Sequence, residues 1–299
     1  MIVSRFAGGL GNQMFQYAAG LALSIRKQAP LSVDDGWFSD MGDATPRRCE
    51  ITQFPALAGG GLAIASPSLV MRLRYKPESL LPRMMRKLFR KPRAHSAHHI
   101  VEDQAAPPVN LDVYPLPIYL SGYWQSERYF ADQAAAIREA FTFPEFVRPE
   151  ARTLARTILC EEESVSLHVR RGDYVANPQA NLYHGVCGMT YYSRAMEIVE
   201  QSVPSPHYVI FSDDPEWCRT AFAGCGRTMT VVDVHSDNDA IHDMHLMALC
   251  KHHIIANSSF SWWGAWLSNE RGMTCAPRQW FAATEKEKDN PSPDRWLLL

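Results

Sequence analysis

At 299 residues, with 46% hydrophobic and 21% charged residues, the chain can bury two cores of about 150 residues each, and its composition excludes a disordered or fibrous protein. No run of about 18 apolar residues exists, so no helix is expected to span a bilayer. The formal net charge of -2 hides an asymmetry: residues 71–94 hold nine of the thirty Lys and Arg against one acid, Glu78.

Residues 1–7 read as a buried strand. Gly8-Gly9-Leu10-Gly11-Asn12-Gln13 follows, and then a helical pattern through Phe15, Ala18, Ala19, Ala22 and Ile25. Strand, glycine-rich turn and helix make a phosphate-cradle pattern, although Met14 stands where a dinucleotide fingerprint would need its third glycine. Asn12 and Gln13 sit where side-chain amides either face a cleft or cap the helix. A second strand over Leu31–Val33 ends in Asp34 and Asp35, two acids expected near Asn12.

Residues 39–115 read as an irregular insertion, rich in Pro and Gly, that includes the basic arm. Within the arm Leu80, Leu81, Met84, Met85, Leu88 and Phe89 repeat at helical spacing, opposite Arg83, Arg86, Lys87, Arg90 and Lys91. Such a basic amphipathic helix either docks its apolar side on its own domain or makes a peripheral contact, through residues 80–91, with the inner membrane. Nucleic acid is not an expected partner, because the arm lacks interleaved aromatics. A strand over Ile118–Gln125 follows, with Tyr123 and Trp124 either packed in the core or stacked on a sugar. After a helix through Phe130, Ala134 and Ile137, the stretch 143–149 reads as a linker, giving domains 1–148 and 149–299.

The second half alternates helix and strand, which implies an α/β fold with a doubly wound parallel sheet. Three of its strand ends carry polar groups. The apolar run from Val165 stops at Arg170-Arg171-Gly172-Asp173, and paired guanidiniums at a strand's carboxyl end suit a diphosphate. Strand 207–211 ends in Ser212-Asp213-Asp214, where one group caps the next helix and a free carboxylate is left for a base or ribose. Strand 253–256 ends in Asn257-Ser258-Ser259-Phe260, small hydroxyls at a helix start beside exposed N–H groups, which is an anion site or a plain serine cap.

Other chemistries have weaker signals. Asp237-Asn238-Asp239 has the spacing of a metal-dependent sugar transferase but reads better as a helix cap. His242 with His245, and the group His95, His98 and His99, lack a further ligand at a recognisable spacing. Seven cysteines without a paired CxxC predict free thiols in a reducing cytoplasm and no zinc site. The amino terminus lacks the basic and apolar segments of a secretory signal, so a cytoplasmic location is expected, peripheral at the membrane if the arm binds it.

Taken jointly, GGLGNQMFQYA at 8–18, GYWQSERYF at 122–130, HVRRGDY at 168–174 and IIANSSFSWWGAWL at 254–267 resemble the bacterial alpha-1,2-fucosyltransferases of glycosyltransferase family 11. The resemblance implies a GT-B architecture of two Rossmann-like domains facing across a cleft. It implies inverting transfer of L-fucose from GDP-beta-L-fucose to the 2-hydroxyl of a terminal beta-galactoside, with no cofactor and no metal. Donor binding is thereby expected of His168, Arg170, Asp213, Asn257, Ser258, Ser259 and Phe260, and catalytic roles of Arg170 and Asn12. The glutamate base of alpha-1,6 relatives has no counterpart after Tyr174. Asp35, Asp173 or a water held by Asn12 stands in for it. Another linkage or acceptor, or a metal site at Asp237 and Asp239, is the alternative.

Overall fold

The computed structural model describes residues 1–42, 46–79, 82–84, 86, 89, 92–103, 106–171, 187–234, 239–269, 272–281 and 290–299. They form two compact units, Met1–Thr142 and Phe143–Leu299.

The first unit is built on a four-stranded sheet, parallel throughout, in the order β2 (Leu31–Asp34), β1 (Ile2–Arg5), β4 (Ile118–Ser121), β3 (His99–Val101). β1 (Ile2–Arg5) lies in its interior, with Ile2 and Val3 fully buried. The helix α1 (Leu10–Lys27) packs Met14, Phe15, Ala18, Ala22 and Leu23 inward at helical spacing. It ends where Gln28 turns left-handed, and Arg26 and Lys27 complement the carboxyl-terminal dipole. β2 (Leu31–Asp34) follows.

The stretch 39–115 is less irregular than its composition predicts. It holds α2 (Pro67–Arg74), capped by the Ser66 hydroxyl, and β3 (His99–Val101), which pairs with β4 in the register His99↔Tyr119. Three residues are too few to show an alternation. β4 (Ile118–Ser121) is shorter than predicted. The Glu102 carboxylate accepts from the N–H groups of Tyr123 (2.6 Å) and Trp124 (3.0 Å) and turns the chain out of the sheet, with Trp124 at φ 56°. Trp124 is fully buried, edge-on to Tyr129, which rules out the sugar-stacking role for its ring.

After α3 (Ala134–Ala140) the chain passes into the second unit. Phe143 and Phe146 stack on His245 at centroid distances of 4.6 and 4.3 Å, so the stretch expected as a linker packs as part of the second unit. Here α4 (Pro149–Cys160), β5 (Ser164–Val169), α5 (Met189–Ser202), β6 (His207–Ser212), α6 (Pro215–Ala221) and β7 (Thr228–Val231) lead to α7 (Ala240–Leu249), β8 (His252–Ile254), α8 (Ser259–Leu267), β9 (Thr274–Ala276) and β10 (Leu297–Leu298). The sheet is parallel, in the order β10-β9-β8-β5-β6-β7. Numbered from β5 this is the doubly wound order 3-2-1-4-5-6. Val165, Leu167, Val169, Tyr208 and Ile210 pack against Tyr192, Met196 and Val199 of α5, whereas Val209 and Phe211 pack on the opposite face against α4 and α7. That two-residue alternation, apolar on both sides, is what a sheet covered by helices on both faces requires.

Two glutamines of α1 tie down the loops of the first unit. Gln16 accepts from the Ala7 N–H and donates to the Gly122 carbonyl. Fully buried Gln13 uses its whole amide: Nε2 donates to the carbonyls of Gly8 and Arg48, and Oε1 accepts from the N–H groups of Glu50 and Ile51. It is a structural clamp, not a group facing a cleft. Gln13→Leu takes the acceptor from the buried Ile51 N–H and the part-buried Glu50 N–H and should lower stability by about 3 kcal/mol. Urea unfolding followed by circular dichroism checks this; a loss under roughly 1 kcal/mol would show that the clamp is dispensable.

Candidate functional site

In the second unit the chain runs outward from β5 through β6 to β7 and returns to the other side of β5 as β8. The carboxyl ends of β5 and β8 therefore flank a topological switch point, where ligands of open α/β sheets bind. Parallel pairing of Val169 with Ser212 brings Arg170 and Asp213 out of the sheet side by side.

The Arg170 Nη1 lies 2.8 Å from the Asp213 Oδ2, with both side chains about a quarter exposed (24% and 25%). Asp213 Oδ1 accepts from the Arg171 N–H at 2.9 Å. Asp214 caps α6 by accepting from the Trp217 N–H, and its other oxygen lies 3.4 Å from the Arg171 Nε. The Arg171 guanidinium sits 3.9 Å from the Trp217 ring centre. Both carboxylates are thus engaged, which corrects the expectation of a free one. A partly exposed ion pair of this kind adds about 0–1 kcal/mol to stability, so the worth of Arg170–Asp213 lies in aiming a permanent cation at the strand end. Trp217 is a neighbour of the site that the sequence reading left without a role; the Trp of the DDPEW run was the available signal.

At the end of β8, Ser258 is the amino-terminal cap of α8 and accepts from the Phe260 N–H at 3.3 Å. Buried Asn257 donates to the Trp280 carbonyl and accepts from the Cys187 thiol, so it braces the turn from within. Trp262, Trp263 and Trp266 anchor α8 in the core, with the Trp262 indole N–H on the Pro291 carbonyl. A side chain at Gly264 would come within 2.9 Å of the Met247 Cβ, so only glycine lets α7 pack this closely. The apolar half of SSFSWWGAWL is packing; its polar half, at Ser258 and Ser259, presents helix-start N–H groups.

His168 joins these strand ends. It is 5% exposed, its ring lies 5.8 Å from that of Phe260, and its Nδ1 has no hydrogen-bond partner. Burial first, then the Arg170 cation, hold its pKa down to about 3 against an opposing pull from Asp213. The ring is neutral at any ordinary pH and presents a hydrogen-bonding edge, not a charge.

Of the remaining predicted residues, Asn12 lies in the first unit, one turn into α1, whose cap is Gly9. Its Oδ1 accepts from the Gln125 Nε2 at 2.8 Å, joining the turn after β1 to the turn after β4. A side chain at Gly8 (φ +80°) would clash with the Asn12 amide at 2.5 Å. Asp34 is committed to the Tyr119 hydroxyl (2.5 Å) and the Gly36 N–H, whereas Asp35 makes no capping bond. Asp173 and Asp237 lie outside the described residues, as do Gly172 and Tyr174. Asp239 pairs with Arg148 at 3.2 Å. His245 sits between two phenylalanines with its pKa pushed down to about 4 by burial, and His99 packs against His95 and Tyr119. Among the described residues no group of three or more His, Cys, Asp or Glu is placed to hold a metal ion. The seven cysteines are free thiols.

The family model for Glycosyl transferase family 11 matches residues 99–298. An alpha-1,2-colitosyltransferase of Escherichia coli is 34% identical over 100% of this chain and 99% of its own length. The galactoside 2-alpha-L-fucosyltransferase SEC1 of Bos taurus is 30% identical over 50% of this chain and 42% of its own. Among solved structures, the fucosyltransferase NodZ from Bradyrhizobium superposes on 88% of this chain and 91% of its own at 15% identity and a TM-score of 0.45.

His168 and His253 both have pKa values held down by burial to about 3, from an ordinary 6.5. As pH falls from 6.5 toward 3, the unfolded chain takes up protons that the folded chain refuses. Stability should therefore fall with falling pH in that window, by up to about 1.4 kcal/mol per pH unit for each ring, and be flat with respect to them above it. His253→Gln should flatten the slope measured by urea unfolding; an unchanged slope would contradict the assignment.

Proposed function

The chain belongs to glycosyl transferase family 11, and on that premise we propose that it transfers L-fucose from GDP-beta-L-fucose to the 2-hydroxyl of a terminal beta-galactoside, with inversion at the sugar carbon. The observation that carries this reading is the Arg170 guanidinium, fixed by Asp213 at the switch point of a doubly wound sheet. There it meets the β-phosphate, while the Ser258–Ser259 helix start and the His168 edge hold the rest of the donor. The acceptor oxygen attacks C1 as the bond from C1 to the β-phosphate oxygen breaks, and the hydroxyl proton passes to Asp35, Asp173 or a water held by Asn12. The electron pair leaves on GDP, and the transition state is oxocarbenium-like. Arg170 neutralises the charge that grows on the departing phosphate, a contribution larger in the transition state than in the ground state. Asn12 orients the acceptor side through its bond to Gln125. With guanidinium and helix-start N–H groups facing the diphosphate, the reaction runs without a divalent cation.

The full-length likeness to an alpha-1,2-colitosyltransferase favours a second donor reading, GDP-colitose, whose sugar is fucose without its 3-hydroxyl. A site that hydrogen-bonds that hydroxyl rejects the deoxy sugar by about 10⁴-fold, whereas one that does not accepts both.

Turnover with GDP-fucose, GDP-colitose and GDP-mannose, lactose as acceptor and chelator present, tests these readings through GDP release and product linkage. An alpha-1,2 product from GDP-fucose is expected; activity with GDP-colitose alone would transfer the assignment to the second donor. Arg170→Ala should lower kcat on the order of 100-fold or more, with a smaller effect on donor KM. Near-normal turnover at saturating donor would overturn the role given to Arg170.

A further inference from the structure

Between Glu50 and Glu102 the only acid is Glu78, against nine Lys and Arg. The structure turns that acid inward. Its carboxylate is gripped by the Arg86 Nε at 2.9 and 3.1 Å and approached by the Arg93 Nε at 3.8 Å. The excursion from α2 to β3 is closed at its base by an antiparallel bridge between Tyr75 and His95, by the Lys76 N–H on the Ala94 carbonyl (3.0 Å), and by the Ser96 N–H on the Arg74 carbonyl (3.1 Å). Arg74 and Arg93 each place a guanidinium near the Tyr75 ring, 5.2 and 5.1 Å from its centre. The arm is thus tied to the first unit at its root.

The sequence left open whether the arm's apolar residues dock on their own domain. Met84 and Phe89 do not: they are 66% and 59% exposed, and Met71 on α2 is 46% exposed. Arg72, Lys76 and Arg83 are exposed as well. We propose that the exposed residues of this segment, Met71, Arg72, Lys76, Arg83, Met84 and Phe89, dock the protein on an anionic lipid bilayer. Apolar tips enter the headgroup region while the cations meet the negative surface, and each cation contributes about fivefold to binding. The contact is peripheral, since no helix among the described residues is long and apolar enough to cross a membrane. Nucleic acid fits less well, because the Tyr75 ring already engages two guanidiniums and Phe89 alone is left for stacking.

Sedimentation of the full chain with vesicles of phosphatidylcholine, with and without one third phosphatidylglycerol, tests the proposal at low and high salt. The expected result is binding at least about tenfold tighter to the anionic vesicles, lost at high salt. Replacing Arg72, Lys76 and Arg83 together with Gln should weaken it on the order of 100-fold. Met84→Ser with Phe89→Ser should weaken it at constant charge, and both variants should melt and turn over a water-soluble acceptor as the wild type does. Equal binding to neutral vesicles, wild-type affinity in the Gln variant, or preference for a DNA duplex over the anionic vesicles would each overturn the proposal.

Discussion

The ion pair between Arg170 and Asp213 exists because β5 and β6 run parallel with Val169 opposite Ser212. Two strands in that register leave the sheet at the same level, so the residue after each must meet its neighbour. Evenly spaced parallel pairing fixes the level, and helices on both faces bury β5 along its whole length and β6 from Tyr208 to Phe211. A charge in this position keeps part of its solvent and spends little of the fold's stability, yet its direction is fixed. The second carboxylate, Asp214, steadies Arg171 against Trp217. Two cations are thereby presented at the one place where the winding of the sheet reverses.

The same economy shapes the first unit. There the order β2-β1-β4-β3 sets the ends of β1 and β4 side by side, and Asn12 meets Gln125 across the gap. Buried amides carry the structural work: Gln13 holds the 48–51 loop and Gln16 holds the turn after β4. Unpaired buried polar groups are costly, so such clamps admit few substitutes even though they touch no ligand.

Much of the second unit was legible in the sequence, since long apolar strands alternating with amphipathic helices have only one economical arrangement. Arg170, Asp213 and Ser258 were found because each interrupts an apolar run at a strand's end. What could not be read was which partner each group takes. Asp213 looked free until the strand register placed Arg170 beside it. Gln13 looked like a companion of Asn12 until its four hydrogen bonds showed it buried. The strands β3, β9 and β10, three residues or fewer, carry no period to detect. Trp124 reads equally as core or as platform in sequence, and only its burial decides.

The claim on which the account rests is that Arg170 meets the outer phosphate of a guanosine diphosphate. Calorimetric titration of GDP and GMP into the wild type and Arg170→Ala measures that contact without any turnover. A charge-assisted contact of this kind should make GDP bind on the order of 10- to 100-fold tighter than GMP in the wild type, and the difference should vanish in Arg170→Ala. Equal binding of GDP and GMP by the wild type, or a difference that survives the substitution, would contradict the account.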